Sequence, residues 1–145
     1  MMINSDLTLY NTYYNRETGV TEYHRTEIRG VNWQGAKKSE VSDKGLINAD
    51  FVNVYIPVTA NFSNKEYVPP RQYAKLPSEV IHHYFTFQSN DKIAKGIIYF
   101  DVTGNKGHTL KDLEQKHDDV LSIMSIICWD KELYSSLAHY HIGAQ

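Results

Sequence analysis

The sequence predicts a mainly β protein, a small β-barrel or sandwich with a long polar loop and one short α-helix. It is expected to form a single domain over residues 1–145. Three observations predict this. Short runs of β-branched and aromatic residues recur between clusters of Gly, Asn, Asp and Ser, the pattern of strands and turns. Tyrosine dominates the aromatics, with 11 Tyr against 5 Phe and 2 Trp, and it suits strands with one buried and one wet face. Only one segment carries a clear helix start.

The first strand is expected from Asp6 to Tyr14, and "NRETG" (Asn15 to Gly19) supplies turn chemistry. The return strand, Val20 to Arg29, alternates Val20, Glu22, His24, Thr26 and Ile28 with Thr21, Tyr23, Arg25, Glu27 and Arg29. Neither face is purely apolar, so this pair is expected to be partly exposed. Gly30 is read as a bend, with Val31 and Trp33 starting a third strand. The polar stretch from Ala36 to Asp50 reads as a long loop, or as a protruding arm that orders against a neighbouring subunit.

"FVNVYIPV" (Phe51 to Val58) is the clearest strand of the chain. The proline-rich stretch after it predicts a helical turn near Arg71 to Ala74. "YFTF" (Tyr84 to Phe87) and "KGIIYFDV" (Lys95 to Val102) read as strands, the second starting at Ile93 within its turn. "TLKDLEQKH" predicts the short helix, with Thr109 as N-cap and Leu110 and Leu113 on one side. "DDVLSIMSIICWD" reads as a strand because Val120, Ile123, Ile126 and Ile127 are β-branched and Ser122 and Ser125 weaken a helix. Tyr134 to Ala144 is the expected last strand.

Composition narrows the function classes. The formal charge is −2 with His neutral, far from the cationic excess that a general nucleic-acid coat needs. Cys128 is the only cysteine, so an intrachain disulfide and a cysteine-based zinc site are both excluded. Its apolar flanks predict a buried, inert thiol. "MMINSDLTLY" lacks the basic and apolar segments of a secretory signal, and no apolar run approaches the ~20 residues of a membrane helix. A soluble protein made in the cytoplasm is expected.

His139 and His141 are the foremost candidates for chemistry. Residues two apart in a strand share a face, so "HYH" sets two imidazoles side by side, as some β-barrel metal sites do. A catalytic site needs a third ligand, and the spacing of His24, His82, His83, His108 and His117 selects none of them. The plainer reading is a last strand with half-exposed imidazoles. Asp118 and Asp119 are adjacent and point apart in a strand, which argues against joint chelation, and Asp101 and Asp130 are read as strand ends. "TGNKG" lacks the spacing and the Ser or Thr of a phosphate loop and reads as a turn. No serine sits in a nucleophile-elbow frame. Tyr10, Tyr13, Tyr14 and Tyr23, beside Arg16, Arg25 and Arg29, form an aromatic stripe. It suits either base stacking or protein packing. These residues define no catalytic, cofactor or metal site, and no enzymatic activity is expected.

Taken in order, the motifs resemble those of a family of small, mostly uncharacterised proteins encoded by phages and prophages of Gram-positive bacteria. The resemblance rests on "T-L-Y-N" (Thr8 to Asn11), on Tyr23 with Arg25 to Trp33, and on Lys44 to Leu46. It continues through Ile56 with Pro57, Tyr84 to Gln88, Asp91 to Gly96 and Asp118 to Ile123, covering roughly residues 6–127. The ending, "CWDKELYSSLAHYHIG", departs from the family's usual "D-N-R" turn and "H-W-x-V" strand. The resemblance implies a virion or morphogenesis protein. In order and size it is similar to the head–tail connector (head-completion or stopper) proteins of long-tailed phages. The partners it implies are a portal or adaptor, tail components and further copies in a ring, with DNA passage but no specific nucleic-acid binding and no membrane. The implied location is the virion.

Overall fold

The computed structural model describes residues 2–42, 45–128 and 138–145. Six strands close an antiparallel barrel in the order β1-β2-β3-β8-β7-β6. They are β1 (Ser5–Asn15), β2 (Val20–Ser42), β3 (Gly45–Pro57), β6 (Lys92–Lys95), β7 (Val120–Cys128) and β8 (His139–Ala144). Between β3 and β6 lie a two-residue parallel pair, β4 (Glu66–Tyr67) with β5 (Tyr84–Phe85), and α1 (Pro70–Lys75). The second helix, α2 (Leu110–Lys116), precedes β7. The barrel is the mainly β fold that the residue pattern predicts, and closure leaves few strand edges unpaired.

Alternation fills the interior. Leu7 and Leu9 of β1, Ile28 of β2, Val52, Val54 and Ile56 of β3, Ile93, Ile123 and Ile142 form one buried cluster. Phe85 and Phe87 reach the same cluster from the segment between β3 and β6. Outside β1, Tyr10 packs with Phe100, Val102 and Leu113 under the segment that carries α2. Thr109 caps α2 in a reciprocal box with Asp112, as its position before the helix predicts.

Gly30 does not end a strand. It has φ +92° and is the extra residue where the β1–β2 register slips from Asp6↔Arg29 to Ser5↔Val31. Its amide donates to Asp6 Oδ1 at 3.0 Å. This bulge reverses the parity of β2, so that Thr26 and Ile28 point in before it and Val31 and Trp33 point in after it. β2 is therefore one strand where two were expected.

Three further expectations are corrected. The stretch from Ala36 to Asp50 is, over residues 36–42 and 45–50, a pair of strands, not a loop. It is paired from Ala36↔Phe51 to Ser42↔Gly45, because antiparallel pairing satisfies the backbone whatever the side-chain polarity. "KGIIYFDV" is not a strand beyond Lys95: Gly96, at φ +81°, turns the chain out of the sheet and across Tyr10. Similarly, "YFTF" contributes strand only at Tyr84–Phe85. Asp130 and the 134–137 part of the expected last strand fall outside the described residues.

Candidate functional site

Two features of the barrel wall bear on function. The first is the end of β2 and the start of β3. Beyond Ser5↔Val31, β2 loses β1; before Val52↔Ala144, β3 has no pairing with β8. Residues 36–42 and 45–51 thus form a two-stranded ribbon paired only within itself among the described residues. At ~3.3 Å per residue it extends roughly 20 Å past the sheet. Among the described residues, neither of its outer edges is paired.

The second feature is β8, which lies between β3 and β7. His139 and His141 share its outer face, as their spacing predicts. Tyr55 of β3 stacks on the His141 ring at 4.5 Å and lies tilted to His139 at 5.8 Å. His141 Nε2 and Asn53 Oδ1 are 2.9 Å apart and hydrogen-bonded. Burial, and then the charge of His139, holds the His141 pKa below the ordinary imidazole value.

The other imidazoles are dispersed. His24 pairs with Glu22 at 2.9 Å and packs edge-on to Tyr13. His82 and His83 adjoin each other, while His108 and His117 pack on Phe100. Among the described residues, no group of three or more His, Cys, Asp or Glu is arranged to hold a metal ion. Asp118 and Asp119 are exposed in the turn before β7, and Asp101 pairs with Arg25 at 2.9 Å.

The tyrosine stripe is broken: Tyr23 packs half-buried against the Tyr10 cluster, and Tyr13 leaves that face. Tyr13 points inward beside Tyr73, whereas Tyr10 and Tyr14 point to the other face, where Tyr10 is buried and Tyr14 is exposed. Consecutive strand residues alternate, so Tyr13 and Tyr14 cannot share a stacking platform. Arg25 is held by Glu27 and Asp101, which neutralise its charge locally. Cys128 is exposed, against the expectation of a buried thiol. It lies at the far end of β7, well past that strand's pairing with β6, and its Sγ is 4.0 Å from the Tyr67 hydroxyl.

Sequence reasoning missed a buried polar knot. Asp91 accepts from Asn11 Nδ2 at 2.9 Å and from the Thr12 amide at 3.2 Å. Asn11 also donates to the Thr86 carbonyl and accepts from the Thr86 amide. Burial raises the Asp91 pKa, with the hydrogen bonds from Asn11, Gln88 and Thr12 opposing. No spacing announces this group, because its members come from β1 and from the two ends of the β5–β6 connection. The knot ties β1 to the β5–β6 connection, and Asn11, Thr86 and Asp91 are all buried in it.

A cleft between the β1–β2 turn and α1 is lined by Arg16, Glu17, Lys75 and Ser78, with the Tyr13 hydroxyl donating to the Leu76 carbonyl at 2.7 Å. Its charges are of both signs.

The described residues form a closed barrel from which a two-stranded ribbon projects. The chain belongs to DUF6751, a family of unknown function whose model matches residues 2–145. No curated protein and no solved structure matches it.

Proposed function

We propose that this chain is a structural component of a phage particle, a head–tail connector that acts by assembly into a ring rather than by catalysis. One structural observation carries the reading: a closed barrel holds out a ribbon whose outer edges are unpaired among the described residues. A rigid barrel fixes position, and a strand edge binds by adding to a neighbour's sheet, which needs main-chain hydrogen bonds more than any particular side chain. The resemblance to phage-encoded proteins supplies the setting. The partners in this reading are a portal or adaptor, tail components and copies of the chain itself, in the virion. No described helix is long and apolar enough to cross a membrane.

The test is mass spectrometry of purified particles from an induced host, with antibody labelling under the electron microscope. Label at the neck is the expected result. Absence of the chain from particles overturns the reading.

A second reading, a metal-dependent enzyme or small-molecule binder, is favoured by one observation: His139 and His141 share a face and both pack on Tyr55. It requires stoichiometric zinc, iron or nickel in untagged protein, lost in both His139→Ala and His141→Ala.

A further inference from the structure

The outer edge of β2 is covered for one step beyond β1. In an antiparallel strand the N–H and C=O of one residue point to the same edge, and successive residues alternate edges. The Asn4 amide donates to the Val31 carbonyl at 3.0 Å, and Ser5↔Val31 is the last residue pair between β1 and β2. At Trp33, the next residue whose backbone faces this edge, the partner is a side chain. The Trp33 amide donates to Asn4 Oδ1 at 2.8 Å, and Asn4 Nδ2 donates to the Trp33 carbonyl at 3.1 Å. Asn32 Nδ2 donates to the Met2 carbonyl as well. Residues 2–4 are themselves exposed, so they lie as a strap along the edge rather than in the core.

A carboxamide carries the donor and the acceptor of a peptide unit. Asn4 therefore satisfies Trp33 as a neighbouring strand would, and it takes both backbone groups at once. An open strand edge templates another strand, whereas a covered one does not. The groups at stake belong to the barrel wall, because Trp33 is buried in the main core cluster. Beyond Trp33 the same edge runs onto the ribbon, through residues 35, 37, 39 and 41, where no described strand pairs with it.

We infer that Asn4 is an edge guard: it closes the barrel wall at Trp33 to strand addition and confines any added strand to the ribbon. The guard deepens the assembly reading. It rests on strand addition as the mode of contact, not on the connector role. The strand it excludes is the β2 edge of a second copy. Two such edges laid antiparallel about residue 37 match N–H to C=O by two-fold symmetry, with no partner of another sequence. Trp33 of each copy then falls opposite residue 41 of the other. With Asn4 in place, the pairs at both ends of that match are lost, and the match is left short.

The test is hydrogen exchange at the Trp33 amide of the full chain, read by NMR and paired with sedimentation. Concentration runs over about a hundredfold range, up to about 1 mM, with reductant to keep the exposed Cys128 a thiol. In the parent this amide is expected to be protected equally at every concentration. In Asn4→Ala it is expected to exchange about tenfold faster in dilute solution. Its protection is expected to return as concentration rises and dimer forms, because a second β2 edge then takes the place of Asn4. Met2→Ala removes an exposed side chain from the same strap and is expected to match the parent in both measurements. Circular dichroism confirms that each variant is folded. An Asn4→Ala amide that exchanges as slowly as the parent's overturns the inference, and so does one that exchanges faster with no dimer forming. A Met2→Ala protein that opens the edge as far overturns it too, since the effect then belongs to the strap and not to the carboxamide. Absence of the chain from virions is a separate result: it overturns the connector reading and leaves these outcomes untouched.

Discussion

The Tyr10 hydroxyl donates to the Phe100 carbonyl at 2.6 Å, across 90 positions of sequence and inside a buried cluster. The bond ties the segment after Gly96 to the outside of the barrel. Burial raises the pKa of this phenol, so it remains a donor over the whole physiological range. Tyr10→Phe keeps the ring and removes the donor, leaving the Phe100 carbonyl without this partner. A loss of about 1–3 kcal/mol is expected, read as a lower urea midpoint at unchanged m-value. An unchanged midpoint would show that the carbonyl is satisfied another way.

Asp91 gives a pH test with a definite sign. Its folded-state pKa is raised, burial outweighing three hydrogen-bond donors. Its stabilising contribution is therefore fully present below the ordinary carboxylate range and is lost as pH rises through the raised value. Asp91→Asn cannot titrate. The stability of the parent relative to Asp91→Asn is expected to grow as pH falls from about 7 to about 4. A difference that shrinks over that window would mean that the hydrogen bonds outweigh burial.

Gly143 has no room for a side chain. A Cβ built there collides with Ser125 Oγ and comes within 3.3 Å of the Phe51 ring. Gly143→Val is expected to destabilise the barrel by about 1–3 kcal/mol through overpacking. Gly143→Val combined with Ser125→Gly is expected to recover part of the loss. A double variant no more stable than the single one would locate the strain elsewhere.

The ribbon pairs only with itself among the described residues, and the described pairings of β3 with β8 begin beyond it, at Val52. Replacing residues 37–50 by a two-residue hairpin turn is expected to leave the thermal midpoint within a few degrees of the parent. Under the connector reading the same deletion removes the chain from particles. A large fall in midpoint would show that the ribbon supports the barrel.

The sequence made some of this legible, and particular residues show why the rest was not. Thr109 three residues before Asp112 and the Asn15 to Gly19 turn are local signals, and both elements stand where they predict. The shared face of His139 and His141 follows from period two alone. The ribbon was hidden because a polar strand paired with a polar strand has the composition of a loop. Ile97 and Ile98 suggested a strand, and only the positive φ of Gly96 turns them out of the sheet. Asp91 finds Asn11 80 positions away, a distance that no local pattern spans.

The place of β8 governs when the barrel can form. It is the last strand in chain order, yet it sits between β3 and β7 and supplies the only described link between them. Until residues 139–144 have emerged from the ribosome, β3 has one neighbour and the wall stands open as a curled sheet. Pairing Val54 with Ile142 must then close a span of most of the chain. Contacts so distant slow a folding reaction, into the millisecond-to-second range typical of small all-β domains. The edge of β3 that meets β8 is therefore the last in the described barrel to find its partner.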